Sequence, residues 1–313
     1  MRDNAQGSDP AYSRGMIRTL TIIVIGTLFV AAVFTPAVYS ALSYFLGEVP
    51  WPFSRVFDRV AVLVILVFII LMRKYFSLSE LRGYFRRERL REEWKPLVAG
   101  AVLTVGVTLC MLPFMVGDGR LDWANKEFSQ YALRLLKVVP AALLISAVEE
   151  SFFRVLLFQR LRDSVKLPFA VVICSLVYAF AHFISPAKQW QYPGYSVTIG
   201  FEYLAAVFDR LLLPGVLPAF FGLFLVGVVL CIVIWRTRSL LLCLGLHAGW
   251  VIAIKIAGFS TETTANFAYA EGVGRRYFLV AEPLAWVSIV LVGVIVLWGF
   301  TKLWSSSLEV TVE

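Results

Sequence analysis

Two adjacent glutamates, Glu149 and Glu150, stand in the middle of the apolar run PAALLISAVEESFFRVLLFQR. A charge near the centre of a bilayer costs about 2.5–3.5 kcal/mol even on a lenient insertion scale, so each carboxylate needs a partner or a task. Arg154 lies four residues beyond Glu150, the spacing that brings opposite charges onto one helix face. Glu149 is rotated about 100° from Glu150 and keeps no counter-ion in its own segment. A buried ion pair fixing helix register explains Glu150 and Arg154 but not Glu149. A desolvated carboxylate without a cation takes a proton from water, which is what a general base does.

The chain has two histidines, His182 and His247, and both fall in apolar runs, SLVYAFAHFISP and SLLLCLGLHAGWVIAIK. A lone intramembrane histidine is commonly a packing residue, but two of them alongside two glutamates read as an acid–base cluster. Glu149 and His182 are each about 14 or 15 residues from the short turn at Ser164 to Leu167, about 21 Å at helical rise, which places them side by side. His247 is only about eight residues, or about 12 Å, into its own helix. It comes level with the others if that helix tilts or if the turn at Arg236 to Arg238 enters the membrane.

The elements that must carry these groups follow from composition. The 313 residues are 59% hydrophobic and 16% charged, against about 45–50% and about 25% in soluble domains. A soluble fold is excluded, and the chain reads as an all-α, polytopic integral membrane protein of about eight transmembrane helices around an intramembrane polar cavity. Expected spans are 17–45, 60–72, 97–116, 140–162, 168–184, 216–235, 239–258 and 283–303. The run from Ile17 to Phe45 is too long for a cleaved signal. An interfacial helix, Tyr131 to Val139, is expected before Pro140, which suits the first turn of the fourth span. Basic clusters at 73–95, at Arg160 to Lys166 and at Arg236 and Arg238 then share one side. The positive-inside rule puts that side, and both termini, in the cytoplasm, with the plasma (cell inner) membrane as the expected location.

The chain thus divides into a polar tail (1–16), an N-terminal helical region (17–135) with the basic loop 73–95, a core (136–258), and a C-terminal part (259–313) of external loop, last span and short tail. The loop from Ser185 to Pro214 includes an amphipathic piece, Phe201 to Leu213, that reads as a surface plug. Net charge is +8, but the basic residues flank spans instead of forming a domain, which excludes a nucleic-acid partner. Cys110, Cys174, Cys231 and Cys243 each sit alone in an apolar run, without metal-binding spacing, and read as core residues.

From about Pro140 to Ile254 three motifs occur in order. They are E-E-x-x-x-R at Glu149, Glu150 and Arg154, an aromatic-x-x-x-H from Tyr178 to His182, and a third beginning at His247 in GLHAGWV. Together they resemble the CAAX protease and bacteriocin-processing (CPBP, or ABI) family of intramembrane glutamic endopeptidases. Tyr178 stands where that family has phenylalanine, and Val251 where its H-x-x-x-N motif ends in asparagine. The resemblance implies an intramembrane endopeptidase, without cofactor, that hydrolyses a peptide bond of a membrane-associated protein or peptide within the lipid bilayer. It implies Glu149 as the base that activates water, His182 as its helper and His247 as an oxyanion donor, with Glu150, Arg154 and Tyr178 in support.

Val251 offers no donor, and one missing oxyanion donor costs about a hundred- to thousandfold in turnover. Asn266, Thr261 and the Trp250 indole are the substitutes at hand in the sequence. A zinc ion held by Glu149, His182 and His247 is a rival mechanism, ranked behind because H-E-x-x-H spacing is lacking. A proton-coupled transporter would also use buried Glu and His, but it predicts internal repeats, which the sequence lacks. A non-catalytic scaffold or immunity-type member is the reading that Val251 leaves open. Lys255, eight residues past His247, is expected to snorkel outward instead of joining the site.

Overall fold

The computed structural model describes residues 10–71, 78–184, 190–213, 215–265 and 277–303. It holds the expected all-α, polytopic architecture. The N-terminal part comprises α1 (Pro10–Leu46), α2 (Phe53–Leu71), α3 (Leu78–Tyr84), α4 (Arg87–Leu109) and α5 (Leu112–Gly117). The core follows as α6 (Phe128–Glu150), a π-helical segment (Ser151–Phe158), α7 (Gln159–Ser164) and α8 (Leu167–Ala181). Then come α9 (Ile199–Leu211), α10 (Val216–Thr237), α11 (Leu240–Ser260) and α12 (Pro283–Leu303). Two short strands, β1 (Leu121–Trp123) and β2 (Thr261–Thr263), pair antiparallel with Asp122 opposite Glu262.

Among the described residues five helical stretches are long and apolar enough to cross a membrane: Thr21–Leu46, Arg87–Gly117, Phe128–Ser164, Val216–Thr237 and Leu240–Ser260. Leu167–Ala181 and Pro283–Gly299 are apolar but shorter, and α2 carries Arg55, Asp58 and Arg59 in its first two turns. The expected count of eight spans therefore remains an expectation.

Several local readings are corrected. Pro140 lies inside α6, not at its start, because the helix begins at Phe128 behind a capping box in which Glu127 and Gln130 satisfy each other's backbone N–H groups. That reciprocal cap fixes the helix twelve residues earlier and carries the chain through the proline. The helix of the third expected span, α4, also starts early, at Arg87, so the second half of the basic stretch is helix continuous with the apolar part beyond it. The helix α1 begins at Pro10, within the stretch read as a polar tail. Cys174, Cys231 and Cys243 are buried as expected, but Cys110 is exposed.

The packing that positions the site is the back-to-back contact of α11 on α4. A Cβ at Gly245 would collide with the Leu97 backbone, and one at Gly249 with Ala101 and Thr104. Glycines four residues apart let two helix backbones approach closely. His247 lies between them, about 200° around the helix from each, so seating the glycines on α4 turns the imidazole towards α6. The turn into α11 is tight, with Arg238 at φ 54°. Its carbonyl accepts from Arg89 of α4 at 2.9 Å, and the Ser239 hydroxyl donates to Glu93 while accepting from the Leu242 N–H as the N-cap. On the other side of the core, α8 packs on α10, where Gly227 meets Ser175. At the opposite end from that turn, Arg120 bridges Asp118 and Glu282, tying the ribbon to the start of α12.

Candidate active site

The last turn of α6 presents Glu149 and Glu150 immediately before the π segment. Such a wider turn is rare and often marks a functional position. Glu150 is fully buried and doubly held: its Oε2 accepts from Arg154 Nε at 2.9 Å and its Oε1 pairs with His247 Nδ1 at 2.8 Å. Arg154 is equally buried, with Nη1 donating to Cys231 Sγ at 3.3 Å and Cys174 Sγ at 3.6 Å and its guanidinium 5.0 Å over the Tyr178 ring. The pair thus ties the π segment to α8, α10 and α11.

Glu149 is held differently. Its Oε2 faces His182 Nε2 at 3.6 Å and His247 Nε2 at 3.8 Å, and has no hydrogen-bond partner among the described residues. His182 caps the end of α8, and its Nδ1 lies 2.9 Å from the Tyr178 carbonyl. A carbonyl only accepts, so Nδ1 carries the proton, and in the neutral ring Nε2 turns a lone pair towards Glu149. The same logic applies to His247: Glu150 fixes a proton on Nδ1, and Nε2, 3.4 Å from the Tyr178 hydroxyl, can accept from it.

These groups border a cavity of about 610 Å³. Glu149, His182, His247 and Tyr178 lie on its wall, with Val251 and Trp250 of α11 beside them. Apolar side chains from α6, α10, α11 and α12, among them Ile145, Leu223, Ile254 and Ile289, form much of the remainder. The structure therefore brings Glu149, His182 and His247 together from three helices, with Tyr178 beside them on the wall and Glu150 and Arg154 behind. Among the described residues no three His, Cys, Asp or Glu side chains are spaced to hold a metal ion. Trp250 buries its indole Nε1 without a partner, Thr261 bonds the Ala257 carbonyl instead of facing the cavity, and Asn266 lies outside the described residues.

Residues 131–253 match the family described as Type II CAAX prenyl endopeptidase Rce1-like. The core is similar to that family over less than half of the chain. The match is the family anticipated from the motifs, and its bounds enclose Glu149, Glu150, Arg154, Tyr178, His182, His247 and Val251. No curated protein and no solved structure matches the chain.

Sequence reasoning missed two groups at the candidate site. Lys255 lines the cavity instead of snorkelling outward, because it is one turn beyond Val251 on the same face. Arg134, read as part of an interfacial helix, also lines it. The signal for both was present as charge inside apolar helices, but the direction of each side chain depended on which faces α6 and α11 turn to each other.

Proposed function

We propose that the chain is an intramembrane endopeptidase in which Glu149 activates water against a peptide bond of a membrane-associated polypeptide. The observation that carries this reading is the contrast at one helix turn: Glu150 is locked by Arg154 and His247, while Glu149 faces the cavity with two imidazoles and no donor of its own. Glu149 takes a proton from water, and the resulting hydroxide attacks the carbonyl carbon of a peptide lying in the cavity. His182, its Nδ1 anchored on a carbonyl, orients that water and shuttles the proton. His247, held by Glu150, turns Nε2 towards the tetrahedral oxygen and donates to it once protonated. The C–N bond breaks as the proton reaches the leaving amine, giving one new carboxylate and one new amine.

A prenylated peptide ending in a CAAX sequence is the probe to which the family match points. With purified full-length protein in lipid nanodiscs, cleavage is expected from wild type and not from Glu149→Ala. Cleavage surviving Glu149→Ala overturns the assignment. Loss of cleavage with a chelator, restored by zinc, moves the mechanism to a metalloenzyme. A proton flux that the same substitution abolishes, without cleavage, makes the chain a transporter.

A further inference from the structure

Tyr178 carries a hydroxyl that packing alone does not explain. The residue is buried, and its ring is clamped on several sides. The His182 ring lies 4.6 Å away and the His247 ring 5.9 Å, Phe153 stands edge-on at 5.1 Å, and the Arg154 guanidinium covers the ring at 5.0 Å. Among the described residues the hydroxyl makes one hydrogen-bond contact, to His247 Nε2 at 3.4 Å. That exceeds the about 2.7–3.2 Å of a well-made bond, so the O–H is loosely committed. A buried hydroxyl that is poorly satisfied costs stability, and phenylalanine would fill the same space without that cost.

The hydroxyl also stands where the reaction needs a donor. Tyr178, His247 and Glu149 share the cavity wall, and His247 Nε2 is 3.4 Å from the phenol oxygen and 3.8 Å from Glu149 Oε2. An oxygen atom within reach of both Nε2 and the phenol therefore lies beside the carboxylate that draws a proton from water. With its Nδ1 proton facing Glu150, a neutral His247 offers a lone pair at Nε2. A lone pair repels a forming oxyanion until the ring is itself protonated, and Val251 adds no donor.

We infer that Tyr178 is a further catalytic residue, whose hydroxyl donates a hydrogen bond to the tetrahedral oxygen formed beside His247. As the water oxygen adds to the carbonyl carbon, the π pair of the C=O bond moves onto its oxygen. The phenol O–H turns from His247 Nε2 to that oxygen and keeps its proton. When the pair returns to re-form C=O, the C–N bond breaks and the O–H swings back. A donor fixed by four neighbours needs little reorganisation at that moment, which is the condition for effective oxyanion stabilisation. This rests on the peptidase reading for the reaction, but a tetrahedral anionic oxygen can be bound without cleavage.

The test uses full-length Glu149→Gln protein in phosphatidylcholine nanodiscs and two fluorescein-labelled, Leu- and Ile-rich hexapeptides. One has an ordinary central peptide bond, and the other a phosphinate there, whose tetrahedral anionic oxygens imitate the intermediate. Fluorescence anisotropy is expected to show tighter binding of the phosphinate. Adding Tyr178→Phe should shrink that preference by about tenfold, as loss of one charge-assisted hydrogen bond allows, and leave the affinity for the ordinary peptide unchanged. Loss of affinity for both peptides alike, or for neither, overturns the assignment. So does the absence of any phosphinate preference in Glu149→Gln itself. In protein with Glu149 intact, Tyr178→Phe should lower kcat for the prenylated CAAX peptide by about a hundred- to thousandfold, with KM within about twofold of wild type. An effect confined to KM overturns the role. Absence of cleavage by the wild type, with a phosphinate preference that Tyr178→Phe still shrinks, counts against the peptidase reading alone.

Discussion

Glu149 and Glu150 are identical side chains one peptide bond apart, and the fold treats them oppositely. The Glu150 side chain has 0% exposure and two charge-assisted partners under 3 Å. The Glu149 side chain keeps 27% of its surface open and meets its histidines only at 3.6 and 3.8 Å. Rotation along the helix accounts for the divergence. One residue of helix turns the first carboxylate into the cavity and the second into the packed junction of α6, α8, α10 and α11. A group that is fully satisfied in the ground state has nothing to gain from a reacting molecule. The unsatisfied neighbour does, and on the proposed function stability falls to Glu150 and chemistry to Glu149.

Substitutions at the two positions should therefore separate cleavage from folding. The largest effect is expected for Glu149→Gln, which keeps shape and removes the base: turnover should fall by about 10⁴-fold, the upper end for general-base catalysis. Its thermal unfolding in detergent should match wild type. The reverse is expected at the locked pair. Arg154→Leu leaves a buried carboxylate uncompensated and should cost about 3–5 kcal/mol of stability, while the double substitution Glu150→Leu with Arg154→Leu should cost less than either alone. A thermal-unfolding cycle measures this. If Arg154→Leu unfolds like wild type, the pair does not hold the junction and the contrast collapses. A third, smaller effect is expected for His182→Ala, about a hundredfold in kcat with little change in unfolding, because His182 supports the base and lies at a helix end.

The sequence made this contrast readable where the geometry is local. Glu150 and Arg154 share a helix, and Glu149 and His182 flank one short hairpin, so counting residues from the turn sufficed to pair them. His247 fitted the same arithmetic less well, since its position depends on glycine contacts between α11 and α4 that are distant in sequence. Pro140 misled for another reason: a proline is a strong local signal, but the cap at Glu127 and Gln130 had already started the helix. The β1–β2 ribbon, three residues a side, was too short to leave a pattern. Arg134 and Lys255 were visible as charges, but whether they face lipid or cavity is decided by tertiary packing.

The smallest expected effect concerns the other side of the reacting carbonyl. Val251 lies one turn beyond His247 on α11 and lines the cavity, so a side chain there views the same space as His247 Nε2. Valine gives that space a wall without a donor. Asparagine is close to valine in size, and its amide would reach into the cavity with an N–H where the tetrahedral oxygen forms. Installing one donor into a site not shaped around it should recover only part of a typical oxyanion contribution, so Val251→Asn is expected to raise kcat by about tenfold and leave KM unchanged. An unchanged kcat would mean that position 251 does not see the oxyanion. The next candidate is then the neighbouring Trp250, whose buried indole N–H lacks a partner among the described residues. Trp250→Phe removes that donor and keeps the ring, so a fall in kcat there would assign a donor to Trp250, and an unchanged kcat would exclude it.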